Sequence, residues 1–373
     1  MGAGIAETRV RELFEAAGVR IGGTSRCDLQ IHDHRFYRRV FMDGNLGLGE
    51  AYMDGLWDSP ALDEMIERLL RAGTYDRARA RPREVALLLC ARLLNFQKLT
   101  RAFEVGRRHY DIGNDLFEAM LDSRMIYSCA YWRNADDLED AQLAKLDLVC
   151  RKIGLKPGAA ILDLGCGWGG FARYAAETYG AEVTGLTISR EQAESAARRC
   201  RGLPVEIRLA DYRTARGRYD AVVSLGMLEH VGPKNYRTYM EVIRRCLKPG
   251  GVVLIQTICG NDSMRYVDPW IHRYIFPNGV IPSLAQLGRA MEGLFVSEDV
   301  HNFGPYYDRT LLAWYDNLRD EWPRLDARYD ARFRRMWNYY LLSCAASFRA
   351  RCHQLLQLVM TPVGAPQPDC RHQ

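Results

Sequence analysis

Between residues 159 and 257, short apolar runs alternate with stretches whose apolar positions recur every three or four residues. An apolar run over 159–164 follows the turn Lys156-Pro157-Gly158 and leads through a glycine-rich turn into a helix over 171–179. A strand over 182–186, a helix over 190–201 and strands over 205–209 and 221–225 follow. Then come a helix over 234–246 and a strand over 251–257, separated by the helix stop Pro249-Gly250-Gly251. Buried strands alternating with helices of about ten residues specify a parallel, doubly wound α/β sheet.

The earlier part of the chain has a different rhythm. An amphipathic helix over 9–18 stops at a glycine, and 36–40 reads as a short strand before the turn Asp43-Gly44-Asn45. A helical stretch over 50–54 follows. This pattern predicts a small α+β domain over 1–72. Residues 73–83 are polar and arginine-rich and read as a linker, and a helical pattern runs from 84 to about 103. The catalytic domain is therefore expected over 84–373.

A chain of 373 residues suffices for one large domain and one small one. The net charge of +5 is mild, but Arg68, Arg71, Arg77, Arg79, Arg81 and Arg83 crowd one stretch. Arg332, Arg334, Arg335, Arg349 and Arg351 crowd another. Clustered guanidinium groups suit phosphates, of nucleic acid or of anionic lipid, and equally suit a solvated helix face. Eleven cysteines, an odd number without a Cys-x-x-Cys pair, point to reduced thiols. The first residues carry no secretory signal, and Ala6 stands where myristoylation needs Ser or Thr. The apolar run over 85–96 is broken by Arg92 and falls short of the roughly 20 residues that span a bilayer. A cytoplasmic protein is expected. His32 and His34, and the pair Glu229-His230, lack metal-ligand spacing, so no metal is assigned.

Candidate chemistry begins at Asp163-Leu164-Gly165-Cys166-Gly167-Trp168-Gly169-Gly170, between the first strand and its helix. Small residues let the backbone approach a ligand at the carboxyl end of the sheet. A dinucleotide site is the competing reading. The aspartate before the first glycine can face a cationic amino-acid moiety, and the run G-x-G-x-G-G lacks the dinucleotide spacing. With that aspartate the loop resembles the class I methyltransferase signature, which makes S-adenosylmethionine (SAM) the expected cofactor, held by Asp163, Gly165, Gly167 and Trp168. Thr187 and Gln192, after the second strand, are the polar candidates for its ribose. Asp211 and Tyr212, after the third, are those for its adenine, with core packing as the other reading of Tyr212.

Several segments together resemble the cyclopropane-fatty-acyl-phospholipid synthase family. They are His109-Tyr110-Asp111 with Gly113-Asn114-Asp115, Tyr127 through Trp132, the loop at 163–170, and Thr187-Ile188-Ser189. Met227 through Pro233, Phe276-Pro277-Asn278-Gly279 and His301-Asn302-Phe303 complete the set, and the likeness begins at Leu46-Gly47-Leu48-Gly49-Glu50. The resemblance implies a Rossmann-like class I SAM-dependent fold. It also implies methyl transfer to the cis double bond of a phospholipid acyl chain, with loss of a proton closing a cyclopropane ring. A bicarbonate ion would be the base, held by Glu229, Tyr307 and the backbone around Cys129 and Ile258, with Tyr127 and Ser128 against SAM. Cys129 as a thiolate nucleophile is the other reading; the reaction displaces nothing and has no need of one. One departure stands out: Gln256 occupies a position where the family usually has histidine. An amide can orient an ion but cannot carry a proton.

By the same resemblance the N-terminal domain engages the bilayer and a dimer partner, so the expected protein is a homodimer peripheral to the inner face of the cell membrane, without nucleic acid. Residues 262–300 break the methyltransferase pattern with Val267, Trp270, Ile271, Tyr274, Ile275 and Phe276. They read as a lid bounding an acyl tunnel, or as core packing. Tyr131, Trp132, Tyr274 and Phe276 are the rings expected near a carbocation. The alternatives are a methyltransferase for a small amine or RNA, and a lipid-binding protein on a relic SAM fold.

Overall fold

A computed structural model describes residues 3–73, 113–264, 268–325 and 327–372. The expected linker over 73–83 lies almost wholly outside these residues, as do the helical pattern over 84–103, the His109-Tyr110-Asp111 motif and Val267. The chain divides into two compact units. One gathers the described residues within 1–94, 266–277 and 311–353, and the other those within 95–265, 278–310 and 354–373.

In the first unit, helices α1 (Ala3–Glu15), α2 (Arg35–Met53) and α3 (Leu62–Arg71) accompany a ribbon of two-residue strands, β1 (Gln30–Ile31) and β2 (Trp57–Asp58). The strand expected over 36–40 is instead the start of α2. Phe36, Tyr37 and Val40 are buried at helical spacing, so packing overrides their β preference. The expected turn survives as a kink at Gly44.

The aromatic segment of the expected lid packs within this unit. Trp270 and Ile275 are each 1 % exposed, and the Trp270 ring meets that of Tyr339 at 4.7 Å. Asn45 donates to Asp268 at 2.6 Å, and the Tyr274 hydroxyl donates to Glu50 at 2.7 Å. Trp270 lies on the bare backbone of Gly49, where a Cβ would run into the indole. Gly49→Ala should therefore cost about 1–3 kcal/mol by overpacking, read as a lowered unfolding midpoint. An unchanged midpoint would show that the indole moves freely. The C-terminal arginine cluster is largely engaged here as well. Arg332 pairs with Asp54, Arg335 with Asp58, and Arg349 with Asp63, and Arg335 also lies over the Tyr52 ring.

The second unit is built on one seven-stranded sheet. Helices α4 (Asn114–Met120) and α5 (Leu138–Lys152) precede β3 (Ala160–Leu164), α6 (Gly170–Tyr179) and β4 (Glu182–Thr187). Then come α7 (Arg190–Arg199), β5 (Val205–Leu209), β6 (Tyr219–Leu225), α8 (Tyr236–Cys246) and β7 (Leu247–Gly260). After α9 (Pro269–Tyr274), in the first unit, the chain adds α10 (Leu284–Met291) and β8 (Phe295–Asn302). Helix α11 (Pro305–Leu325) starts in this unit, α12 (Ala331–Arg349) belongs to the first, and β9 (His353–Pro362) closes the sheet. Strand order is β5-β4-β3-β6-β7-β9-β8.

Strands β5, β4, β3, β6 and β7 run parallel, as the alternating pattern predicts. The sheet as a whole is mixed, because β8 and β9 pair antiparallel. Apolar clusters cover it on both faces: Tyr236, Tyr239 and Ile243 of α8 contribute to one, and Leu146 and Val149 of α5 with Phe171 of α6 to the other. That burial leaves the carboxyl ends of the central strands as the place for polar chemistry.

Candidate functional site

Two loops meet at that edge. Strand β3 ends at Asp163 and Leu164, and the chain turns at once, with the Gly165 and Cys166 N–H groups donating to the Leu186 carbonyl at 3.0 and 2.9 Å. Gly165 has φ +84°, and a Cβ there would press on Met227 at 3.0 Å. A side chain at that position is thus opposed by both strain and space. Trp168 is buried, donates from Nε1 to Asn114 at 2.9 Å and packs on Phe117 at 4.8 Å; Phe117 also meets Tyr127 at 5.3 Å.

Asp163 is 2 % exposed, and its Oδ2 has no hydrogen-bond partner among the described residues. Burial pushes its carboxyl up to about 7, with the Lys145 charge pulling back. An ionised carboxylate held dry with an unpaired oxygen is costly unless a cation completes it.

The segment 122–132 forms the opposite wall. Asp122 accepts from the Ile126 N–H at 2.8 Å, and the Ser128 carbonyl accepts from Gln142 at 2.9 Å. The buried Lys145 donates to Ser128 Oγ at 2.9 Å. Thr310, in the first turns of α11, accepts from the Ala130 N–H at 3.1 Å and from Trp132 Nε1 at 2.9 Å. A Cβ on Gly226, just past β6, would lie 3.8 Å from Ser128 Cβ, so this wall reaches the end of the central strands.

Glu229 stands in the short 3₁₀ turn after β6. Its Oε1 accepts from the Ile258 N–H at 2.6 Å, while Oε2 is buried and has no partner among the described residues. Burial raises its carboxyl above the usual range, opposed by that backbone hydrogen bond. Cys129, Ile258 and Tyr307 pack into one cluster with Tyr131 and Phe303. Gln256 donates to the Cys129 carbonyl at 3.3 Å and accepts from Gln357 at 3.0 Å. Glu229, Ile258, Cys129, Gln256 and Tyr307 are therefore linked by hydrogen bonds or by packing. The Ile258 N–H already serves Glu229. Burial pushes the Cys129 thiol far up, which removes the thiolate reading.

The nucleoside candidates are more occupied than the sequence suggests. Thr187 Oγ1 donates to Gln192 at 2.8 Å, and both are buried. Asp211 holds Arg213 through its backbone and side chain, each at 2.9 Å. Tyr212 packs edge-on against Tyr239 at 4.9 Å beneath the Arg213 guanidinium, which favours the core reading of its ring. Its hydroxyl is buried and has no partner among the described residues. Of the four rings expected near a carbocation, Tyr131 lies in the Cys129 cluster. Trp132 has Arg309 over its face at 4.4 Å, and Tyr274 and Phe276 belong to the first unit.

Residues 97–358 match the family model described as mycolic acid cyclopropane synthetase. The chain belongs to this cyclopropane synthase family. The Escherichia coli (strain K12) cyclopropane-fatty-acyl-phospholipid synthase is 49% identical over 350 residues, covering 94% of this chain and 92% of that protein. The cyclopropane synthase MmaA2 from Mycobacterium tuberculosis is 30% identical with a TM-score of 0.66, covering 69% of this chain and 97% of that one. The mycolic acid cyclopropane synthase CmaA1 complexed with SAH and CTAB is 31% identical with a TM-score of 0.65 over the same shares. The motif resemblance is thus borne out. The chain is a SAM-dependent enzyme with the class I methyltransferase fold. Lys145, hydrogen-bonded to Ser128, is a residue of the candidate site that sequence reasoning missed. Its one signal is a lysine on the apolar stripe of α5, in register with Ala141, Leu148 and Val149.

Proposed function

We propose that this enzyme transfers the methyl group of SAM to the cis double bond of an unsaturated phospholipid acyl chain and then removes a proton, closing a cyclopropane ring. The observation that carries the reading is a pair of carboxylates, the buried Asp163 and the part-buried Glu229, each with one buried oxygen lacking a partner among the described residues. They stand at the ends of adjacent strands β3 and β6. One orphaned acceptor suits a cation, and the other suits the O–H of a small protonated oxyanion. The donor sets therefore fit both groups that the family implies.

SAM supplies the methyl group, and a bicarbonate ion supplies the base. Asp163 takes the ammonium of the SAM amino-acid tail, while the loop at 165–169, Trp168, Tyr127 and Ser128 line the pocket. Thr187 with Gln192, and Asp211 with Tyr212, bound its nucleoside end. Glu229 accepts from the ion, Tyr307 donates to it, and Gln256 fixes the Cys129 carbonyl so that the backbone keeps its shape. An alkene is a weak nucleophile, so close approach in a dry pocket does most of the work. The proton lost sits beside a carbocation and is already acidic, so a weak base suffices. The Tyr131 face can steady that charge by roughly 0.5–2 kcal/mol.

The test is to incubate the protein with labelled SAM and unsaturated phospholipid vesicles and to analyse the released fatty acids. Cyclopropane acids support the reading; label in other acceptors, or no transfer, overturns it. A second reading, a methylated but non-cyclised alkene in which the cation loses a proton from a neighbouring chain carbon instead of from the transferred methyl, is suggested by Gln256, which cannot relay a proton. If Gln256 only orients, Gln256→His leaves the ratio of cyclopropane to non-cyclised product unchanged. A large gain in cyclopropane would assign the histidine a relay role. The enzyme acts as a homodimer at the cytoplasmic face of the membrane, where basic residues add roughly 1 kcal/mol each toward anionic lipid. Vesicle pelleting should weaken with salt; salt-independent binding, or none, removes this part. Among the described residues no helix is long and apolar enough to cross a membrane.

A further inference from the structure

Lysine at position 145 is an expensive residue to place where it is. It has no exposed surface, and it forms no ion pair among the described residues. Its ammonium carries three N–H donors, and its one acceptor among the described residues is Ser128 Oγ at 2.9 Å. A buried cation with a single hydrogen bond is tolerated only where further anionic or polar groups complete it. The charged or titratable groups around it are Asp122, Cys129 and Asp163. Asp122 is already engaged by the backbone of Arg124 and Ile126, and the Cys129 thiol stays protonated. Asp163 is left, with its open oxygen.

We propose that Lys145 is a positioning residue for the amino-acid tail of SAM, acting through Ser128. The proposal rests on the reading of Asp163 and Ser128 as part of the SAM pocket. An ammonium only donates, so the Ser128 oxygen must accept from it. The Ser128 hydroxyl proton is then directed away from Lys145, free to be donated to the carboxylate of the tail. The positive charge also favours the ionised form of Asp163, which takes the ammonium of the same tail. One buried cation thereby arranges a donor for the negative end of the zwitterion and an acceptor for the positive end. Gln142 holds the Ser128 carbonyl from the same helix, so the hydroxyl is fixed at both its backbone and its oxygen.

The test compares two ligands by calorimetry on the full-length protein. S-adenosylhomocysteine (SAH) carries the amino-acid tail, and 5′-methylthioadenosine has the same nucleoside and thioether without it. Lys145→Met should weaken SAH about 10-fold or more, the scale of a charge-assisted hydrogen bond, and leave methylthioadenosine unchanged. Ser128→Ala, which removes no buried charge, should show the same selectivity and stands in if Lys145→Met does not fold. The double variant should bind SAH no worse than the poorer single one, as expected for two residues acting in series. Equal loss of both ligands, or undiminished SAH binding in either variant, overturns the role of Lys145. A wild-type protein that binds neither ligand overturns the SAM-site reading as well.

Discussion

Glu229→Gln lowers cyclopropane formation at least about 100-fold while SAH affinity stays at its wild-type value. The substitution keeps shape and volume, and the amide oxygen can still accept from the Ile258 N–H now bonded to Oε1 at 2.6 Å. What changes is the other oxygen, buried and without a partner among the described residues. An amide puts a donor there, which meets the O–H of the proposed base with a second donor and removes a negative charge. Ring closure therefore suffers, and cofactor binding, proposed for the loop after β3, does not. Burial raises the Glu229 carboxyl, so wild-type activity should also fall as pH drops through that raised value. Fatty-acid analysis of the vesicle assay gives the first number and calorimetry the second. Activity within a few-fold of wild type would leave Glu229 as a merely structural acceptor.

Asp163→Asn has the opposite profile: SAH binding weakens about 10–100-fold, as expected for losing a charged partner to an ammonium. The sign of its pH dependence follows from burial. The folded-state carboxyl titrates at about 7, above its ordinary value of 3.8. The folded apo-protein therefore holds a proton that the unfolded chain has released between those values. This group's contribution to stability is greatest at low pH and declines as pH rises toward about 7. Binding the ammonium requires the ionised form, so wild-type SAH affinity rises with pH through the same region, with release of a proton. The asparagine variant loses that dependence, and its ligand-free form melts higher at alkaline pH because no buried charge remains. Calorimetry in buffers of different ionisation enthalpy reads the proton directly. Identical pH profiles for the two proteins would remove Asp163 from the cofactor site.

The five parallel strands are legible because each is a short apolar or, in β5, alternating segment that falls in sequence with helices of matching length. The antiparallel pair is not. Strand β8 is a half-exposed strand rich in polar residues, Phe295-Val296-Ser297-Glu298-Asp299-Val300-His301-Asn302, and its partner β9 lies beyond two long helices. No local pattern links them. The strand misread over 36–40 fails for the reverse reason, since a short aromatic and β-branched stretch follows whatever period its neighbours bury. In the site, the loop after β3 and Glu229 are visible as motifs. The engagement of Asp211 by Arg213 is a local cap two residues apart, whereas the burial of Lys145 is a property of packing, because lysine on a helix counts as polar until tertiary contacts close over it.

The position of β9 between β7 and β8 has a bearing on synthesis. During translation β8 leaves the ribosome before the strand that will flank it exists, and the open rim of β7 waits for the same ten residues. Two unsatisfied strand edges invite pairing with other chains. A stop codon ahead of His353 should yield aggregates rather than a shortened enzyme, visible as product confined to the insoluble fraction of expressing cells.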